Sequence, residues 1–140
     1  MTHIDAQELT RRYVAVWNEP DAALRRKAIQ ELWTEDGAHI LQPPAEFRQA
    51  AAGLGFGSAA LEARGYDELE TRVTRSYADF VAPGEYTFRP RDNADSLRNL
   101  VKFNWEMVPS GGGEAVAVGL EILVLGPDGR IEADYQFIES

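Results

Sequence analysis

The sequence has no cysteine and only two histidines, His3 and His39, in 140 residues. A disulfide framework, a thiolate nucleophile, a thiolate zinc site and an iron–sulfur cluster are therefore excluded, and the absence fits a reducing cytoplasm, the compartment expected here. With one histidine in a terminus expected to fray and the other far along the chain, no metal site is expected. Basic side chains are also scarce: 14 against 23 acidic ones, a formal net charge of −9. That field repels phosphate backbones and anionic head groups, so neither a nucleic acid nor a membrane is an expected partner. No apolar run approaches the roughly 20 residues of a membrane span, and the polar stretch Met1 to Glu8 does not look like a signal peptide. Familiar cofactor and nucleophile motifs are missing too. Gly53-Leu-Gly-Phe-Gly57 follows no strand and lacks the final glycine of a dinucleotide fingerprint, and no serine sits in a Gly-x-Ser-x-Gly elbow. No cofactor is expected.

What the chain does contain is an ordinary globular composition, 44% hydrophobic and 26% charged, at a length suited to a single domain over residues 1–140. Leu9, Tyr13, Val16 and Trp17 fall on one stripe of a helix that Asp5 and Glu8 open as a capping box. Pro20 suits the first turn of a second helix, with Leu24, Ala28, Ile29 and Leu32 as its buried stripe down to Trp33. Thr34 to Gly37 reads as a turn and Ala38 to Gln42 as a short strand ended by Pro43-Pro44. Residues 45–64 read as a lid-like insertion, with helical pieces at Glu46–Ala52 and Ser58–Ala63 around a glycine hinge. A third helix carries Leu69, Val73, Tyr77 and Phe80.

After Gly84 the period changes to two. Tyr86 and Phe88 alternate with Thr87 and Arg89, and strands are predicted over Leu97–Val108, Ala115–Leu125 and Arg130–Ile138, reversed at Ser110–Gly113 and Pro127–Gly129. The order α-α-β-α-β-β-β-β implies an α+β domain in which one curved, mostly antiparallel sheet wraps three helices.

The segment from Ala115 to Leu125 carries the most information. Its even positions, Val116, Val118, Leu120, Ile122 and Val124, are all bulky and apolar, while Ala, Gly, Glu and Leu occupy the odd ones. Both faces are thus buried, and a homodimer through the outer sheet face is expected, the alternative being cover by helices of the same chain. Glu121 interrupts this strand. A carboxylate there either finds a structural hydrogen-bond partner or shifts its pKa upward and stays protonated, which marks a functional candidate.

Arg12-Tyr13-Val14-Ala15-Val16-Trp17-Asn18, Glu31-Leu32-Trp33-Thr34-Glu35-Asp36-Gly37, and Gly119-Leu120-Glu121 ahead of Gly126-Pro127-Asp128-Gly129-Arg130-Ile131 resemble the nuclear transport factor 2-like (NTF2-like, cystatin-like) superfamily. The closer resemblance is to its SnoaL-like (polyketide cyclase-like) and ketosteroid isomerase-like members. The resemblance implies a cone with an apolar cavity at one end, and a fold that hosts isomerases, cyclases, dehydratases, hydrolases and non-catalytic proteins. It aligns Tyr13 with the tyrosine that donates to a substrate oxyanion in the steroid isomerases. It aligns Glu121 with the protonated aspartic acid beside it, a pairing that is itself a standard example of a carboxylic acid held neutral. Those isomerases end the first strand with an aspartate before a proline as general base. Here Leu41-Gln42-Pro43 stands there, and neither side chain takes a proton from carbon.

His39, two residues before Leu41 on the same strand face, is the replacement base the sequence offers; the alternative is a satisfied core histidine. In the expected chemistry His39 moves a proton while Tyr13 and neutral Glu121 stabilise an enolate, as in an isomerase or cyclase. If His39 instead activates water, the same pocket is a hydratase or hydrolase. The alternative of a different class is a non-catalytic ligand-binding or dimerisation module. Trp17, Gln42, Phe103, Trp105, Tyr135 and Phe137 are the candidate contacts for a small apolar or aromatic ligand. Glu132 and Asp134 are read as solvent-facing, with the proviso that a one-residue shift of register after Pro127 turns Asp134 inward as a rival acid.

Overall fold

In the computed structural model, which describes residues 5–42, 49 and 61–139, Asp5 accepts a hydrogen bond from the Glu8 N–H at 3.0 Å and opens α1 (Ala6–Asn18). Asp21 does the same for α2 (Ala22–Leu32), so Pro20 lies before the helix and not in its first turn. Leu24, expected in the buried stripe of α2, is exposed. Its neighbour Arg25 is buried instead, bonded to the carbonyls of Glu19 and Pro20 and to Thr74 Oγ1, and stacked on the Tyr77 ring at 4.6 Å. The guanidinium fills what an aliphatic side chain was expected to fill, because it satisfies the carbonyls of the link between the two helices.

The first strand, β1, runs over Trp33–Leu41 and includes the residues expected as a turn. A bulge between Trp33 and Ala38 absorbs the extra residues, and at Gly37 a Cβ would lie 2.8 Å from the Ile131 carbonyl, so only glycine fits. β2 (Leu61–Arg64) pairs antiparallel with β1, replacing the helical piece expected to end near residue 63. The rest of the lid-like insertion lies outside the described residues. α3 (Tyr66–Ser76) continues into a π-helical turn at Tyr77–Val81.

The remaining strands are β3 (Tyr86–Pro90), β4 (Asp95–Leu97), β5 (Leu100–Pro109), β6 (Ala117–Leu125) and β7 (Ile131–Glu139). The single strand expected from Leu97 is split by a tight reversal in which Arg98 adopts φ 53°, and β4 folds back on β5. The sheet order is β2-β1-β7-β6-β5-β3, with β4 beside β5, and β1–β7 is the one parallel pair. The result is an α+β cone: α1, α2 and α3, among the described residues, laid into a curved, unclosed, mostly antiparallel sheet. Trp33, Ile29, Leu69, Val101, Leu123 and Ile131 are fully buried where helices and sheet meet. No helix among the described residues is long and apolar enough to cross a membrane.

One irregularity decides what faces the interior. Along β6 and β7, Val124 pairs with Ala133 but Leu125 pairs with Ile131, so Glu132 is an extra residue in the ladder. Beyond it the inward set is Asp134, Gln136 and Ile138, not Tyr135 and Phe137. A bulge of one residue exchanges the two faces of a strand.

Candidate functional site

Tyr13 stands at the middle of the buried face of α1, its ring 5.2 Å from Phe103, 5.5 Å from Trp33 and 6.1 Å from Trp17 between centroids. Its hydroxyl reaches the sheet between two carboxyl groups, 2.9 Å from Glu121 Oε1 on β6 and 2.5 Å from Asp134 Oδ2 on β7. All three residues are fully buried. A phenol has one hydrogen and so cannot donate to two acceptors; the second short contact needs a proton on a carboxyl group, donated to the phenol oxygen. Burial drives the same outcome. It pushes the Glu121 pKa up to about 8, against the hydrogen bonds from Tyr13, Asp134 and Trp105 that favour the carboxylate. Burial, and next the Glu121 charge, hold Asp134 well above the usual carboxylate range. Burial and then the Asp134 charge raise Tyr13. Near neutrality the trio therefore retains its protons.

His39, on β1, is equally buried. Arg72 of α3 donates through Nη1 to its carbonyl at 2.8 Å and lies 3.0 Å from its Nδ1. A guanidinium has no lone pair to offer, so Nδ1 must accept, which leaves the hydrogen on Nε2, 2.9 Å from Gln136 Oε1. Burial first, and the Arg72 charge against the opposing pull of Asp134, lower the His39 pKa. The imidazole is neutral with both nitrogens engaged, and Nε2 is 3.7 Å from Glu121 Oε1 and 3.8 Å from Asp134 Oδ2. No lone pair is left over for the base role the sequence suggested.

Ligand atoms of His39, Glu121 and Asp134 lie within 4.8 Å of one another, the spacing of a possible metal cage. The donor set does not suit a cation. Nε2 carries a hydrogen, Arg72 places a positive charge against the same ring, and burial keeps protons on both carboxyl groups, each of which spends one oxygen on Tyr13.

Tyr13, His39, Arg72, Glu121 and Gln136 line a cavity of about 300 Å³ whose wall, Ser76 apart, is otherwise apolar, formed by residues such as Val14, Trp17, Leu41, Phe80, Phe88 and Met107. Trp105 also lines it, lying flat across β6 because its neighbour is Gly119, where a Cβ would come within 2.1 Å of the indole. Edge-to-face contacts run from Trp105 to Phe88 at 5.5 Å and from Phe88 to Phe80 at 6.4 Å along the wall.

No protein-family model and no curated protein matches the sequence. Solved structures do. A provisionally named isomerase of the SnoaL-like family from Agrobacterium tumefaciens superposes with a TM-score of 0.76 at 22% identity, over 98% of this chain and 100% of that one. A SnoaL-like protein of unknown function from Burkholderia thailandensis gives 0.65 at 16% identity, over 100% and 99%. A provisionally named polyketide cyclase from Sinorhizobium meliloti gives 0.59 at 10%, over 92% and 93%. The fold is NTF2-like. At these identities the likeness extends to the fold and no further.

Within this NTF2-like cone Tyr13, His39 and Glu121 converge on one cavity end, and Trp17 and Trp105 line its wall. Phe103 packs in the core behind Tyr13 and is not part of the wall. Gln42 contributes only a backbone N–H, to the Gln136 carbonyl at 3.0 Å, and the amide that faces the site belongs to Gln136. Tyr135 and Phe137 lie on the outer sheet face, each 41% exposed, displaced there by the Glu132 bulge. The same bulge corrects the reading of Asp134 as solvent-facing, while Glu132 is exposed as expected. Arg72 escaped the sequence reading although it left a trace: Leu69, Arg72, Val73 and Ser76 fall at i, i+3, i+4 and i+7, so a cation occupies the inward stripe of α3.

Proposed function

We propose that the chain binds a small, flat, apolar molecule in this cavity and performs cofactor-free acid–base chemistry on its carbonyl group, with Glu121 as the acid. The observation that carries this reading is a buried carboxyl group, protonated up to about pH 8, set into an apolar wall and backed by Tyr13 and Asp134. A neutral acid in such surroundings donates to a carbonyl oxygen that gains charge as the adjacent C–H ionises, and its donation costs no solvent reorganisation. Solvent takes the carbon-bound proton, since the His39 lone pair is held by Arg72. Enolisation of this kind is common to isomerases, cyclases and hydratases, and the provisional isomerase and cyclase names of two structural neighbours support the class.

A second reading is favoured by one observation: with His39 engaged at both nitrogens, the cavity holds no free base among the described residues. In that reading the protein binds its ligand without turning it over. Deuterium uptake by 2-tetralone in D₂O, followed by NMR, separates the two. The enzyme reading expects exchange faster than in buffer and a loss of about 10²-fold or more in Glu121→Gln. Exchange no faster than buffer, with 2-naphthol still bound, leaves the binding module.

We further propose that a second copy of the chain covers the outer sheet face. Its support is the exposed or half-exposed row Val118, Leu120, Ile122 and Val124 beside Tyr135 and Phe137, on which no helix of the described residues packs.

A further inference from the structure

We infer that the ligand is an apolar carboxylate, with its anionic group paired to Arg72 and its hydrocarbon body along the Trp17, Phe88 and Trp105 wall. This rests on the cavity being the binding site and adds the chemical class of what enters it. The argument begins with the hydrogens of Arg72. A guanidinium carries five N–H donors. Nη1 is committed to His39, where its two contacts, at 2.8 and 3.0 Å, hold the group in one orientation. The Nε and Nη2 edge is the one that meets a carboxylate bidentately, and it makes no hydrogen bond among the described residues.

No carboxylate of the described residues forms an ion pair with Arg72 either. Of the acids on its outer side, Glu62 bonds the Arg64 guanidinium, Glu68 the Arg64 backbone N–H and Asp67 the Arg26 guanidinium, and Glu62 and Glu68 act on Arg72 as nearby charges without a hydrogen bond to it. On the inner side Glu121 and Asp134 share Tyr13, an arrangement whose proton count already requires at least one of them to be neutral. Among the described residues Arg72 is thus the one permanent cation on the cavity wall, pre-oriented and partly desolvated. An anion in the ligand completes that wall, and charge-assisted bidentate pairing discriminates strongly in an apolar site. The protein's overall negative charge makes capture of an acid depend on this local cation.

The test compares binding of 2-naphthoate and 2-naphthol to the full chain at neutral pH by tryptophan fluorescence and calorimetry. Naphthoate should bind at least about tenfold tighter than naphthol, and Arg72→Gln should remove that preference. Arg72→Lys, which keeps the charge without the fork, should fall between and guards against a folding defect in the glutamine variant. Naphthoate no tighter than naphthol, or an equal loss of both in either variant, overturns the inference while leaving the cavity reading intact. Failure of both probes to bind overturns the two together.

Discussion

Arg72 donates through Nη1 to the carbonyl of His39 at 2.8 Å and meets its Nδ1 at 3.0 Å. One arginine thus sets both the position and the tautomer of His39, the only histidine among the described residues. Nitrogen-15 NMR should show His39 neutral with its hydrogen on Nε2 throughout the range from pH 6 to 8. Arg72→Gln should raise the His39 pKa, since it removes a lowering charge, and should populate the other tautomer. A spectrum unchanged by the substitution would show that Arg72 does not hold the ring.

Removing the bridging hydroxyl should be costly. Tyr13→Phe leaves Glu121 Oε1 and Asp134 Oδ2 buried without their shared partner, and the loss expected is about 1–3 kcal/mol of stability for unsatisfied buried polar groups. Chemical denaturation measures it.

Stability should fall as pH rises toward 8. The Glu121 carboxyl is protonated when folded up to about pH 8 but ionises near 4.5 when unfolded, so the native state binds the extra proton between those values. In that window the slope is negative, at most about 1.4 kcal/mol per pH unit for one group, and it levels off above pH 8. Asp134 acts in the same direction from its lower unfolded value. His39, whose pKa is lowered on folding, acts oppositely: unfolding takes up its proton below about pH 6.5, which offsets one carboxyl there. The clean decline therefore lies between about pH 6.5 and 8. Urea midpoints across this range should show it, and Glu121→Gln should make it shallower, leaving the part due to Asp134.

Much of this arrangement was legible in the residues. The capping aspartate at position 5, the stripe through Tyr13 and the inward carboxyl at 121 follow from periodicity and from the apolar neighbours of that carboxyl. The local pattern could not announce the bulge at Glu132, because the alternation on either side of it is intact. It therefore misassigned Asp134, Tyr135 and Phe137 together. Nor could it show that His39 would meet Arg72 from a helix 33 positions away. That contact exists only once α3 packs on β1, and it occupies the imidazole lone pair that the base role requires.

Gly119→Ala should damage the cavity more than a one-carbon change suggests. The new Cβ would sit 2.1 Å from the Trp105 indole, which also packs against Phe88. Overpacking of this kind costs about 1–3 kcal/mol, and here the tryptophan has to leave the wall beside Glu121. A lowered melting temperature with a red-shifted tryptophan emission and weaker 2-naphthol binding is expected. Wild-type emission and affinity in this variant would mean that the indole has room the structure does not show.

The outer sheet face predicts an oligomer that a charge should dissolve. Leu120 pairs with Phe137 and Ile122 with Tyr135 across β6 and β7, and Ile40 continues the row onto β1. Phe137 and Tyr135 are each 41% exposed, which is unfavourable for aromatic rings in a monomer when they adjoin a run of branched side chains. A stable dimer needs about 800 Å² from each partner. Sedimentation should therefore give a dimer at micromolar concentration. Leu120→Lys should bury a lysine charge from each partner in that interface and yield a monomer with native circular dichroism, since the side chain already faces outward. A wild-type chain that sediments as a monomer would leave the face uncovered and the proposal without support. Dimers that persist in both Leu120→Lys and Phe137→Lys would place the interface elsewhere on the cone.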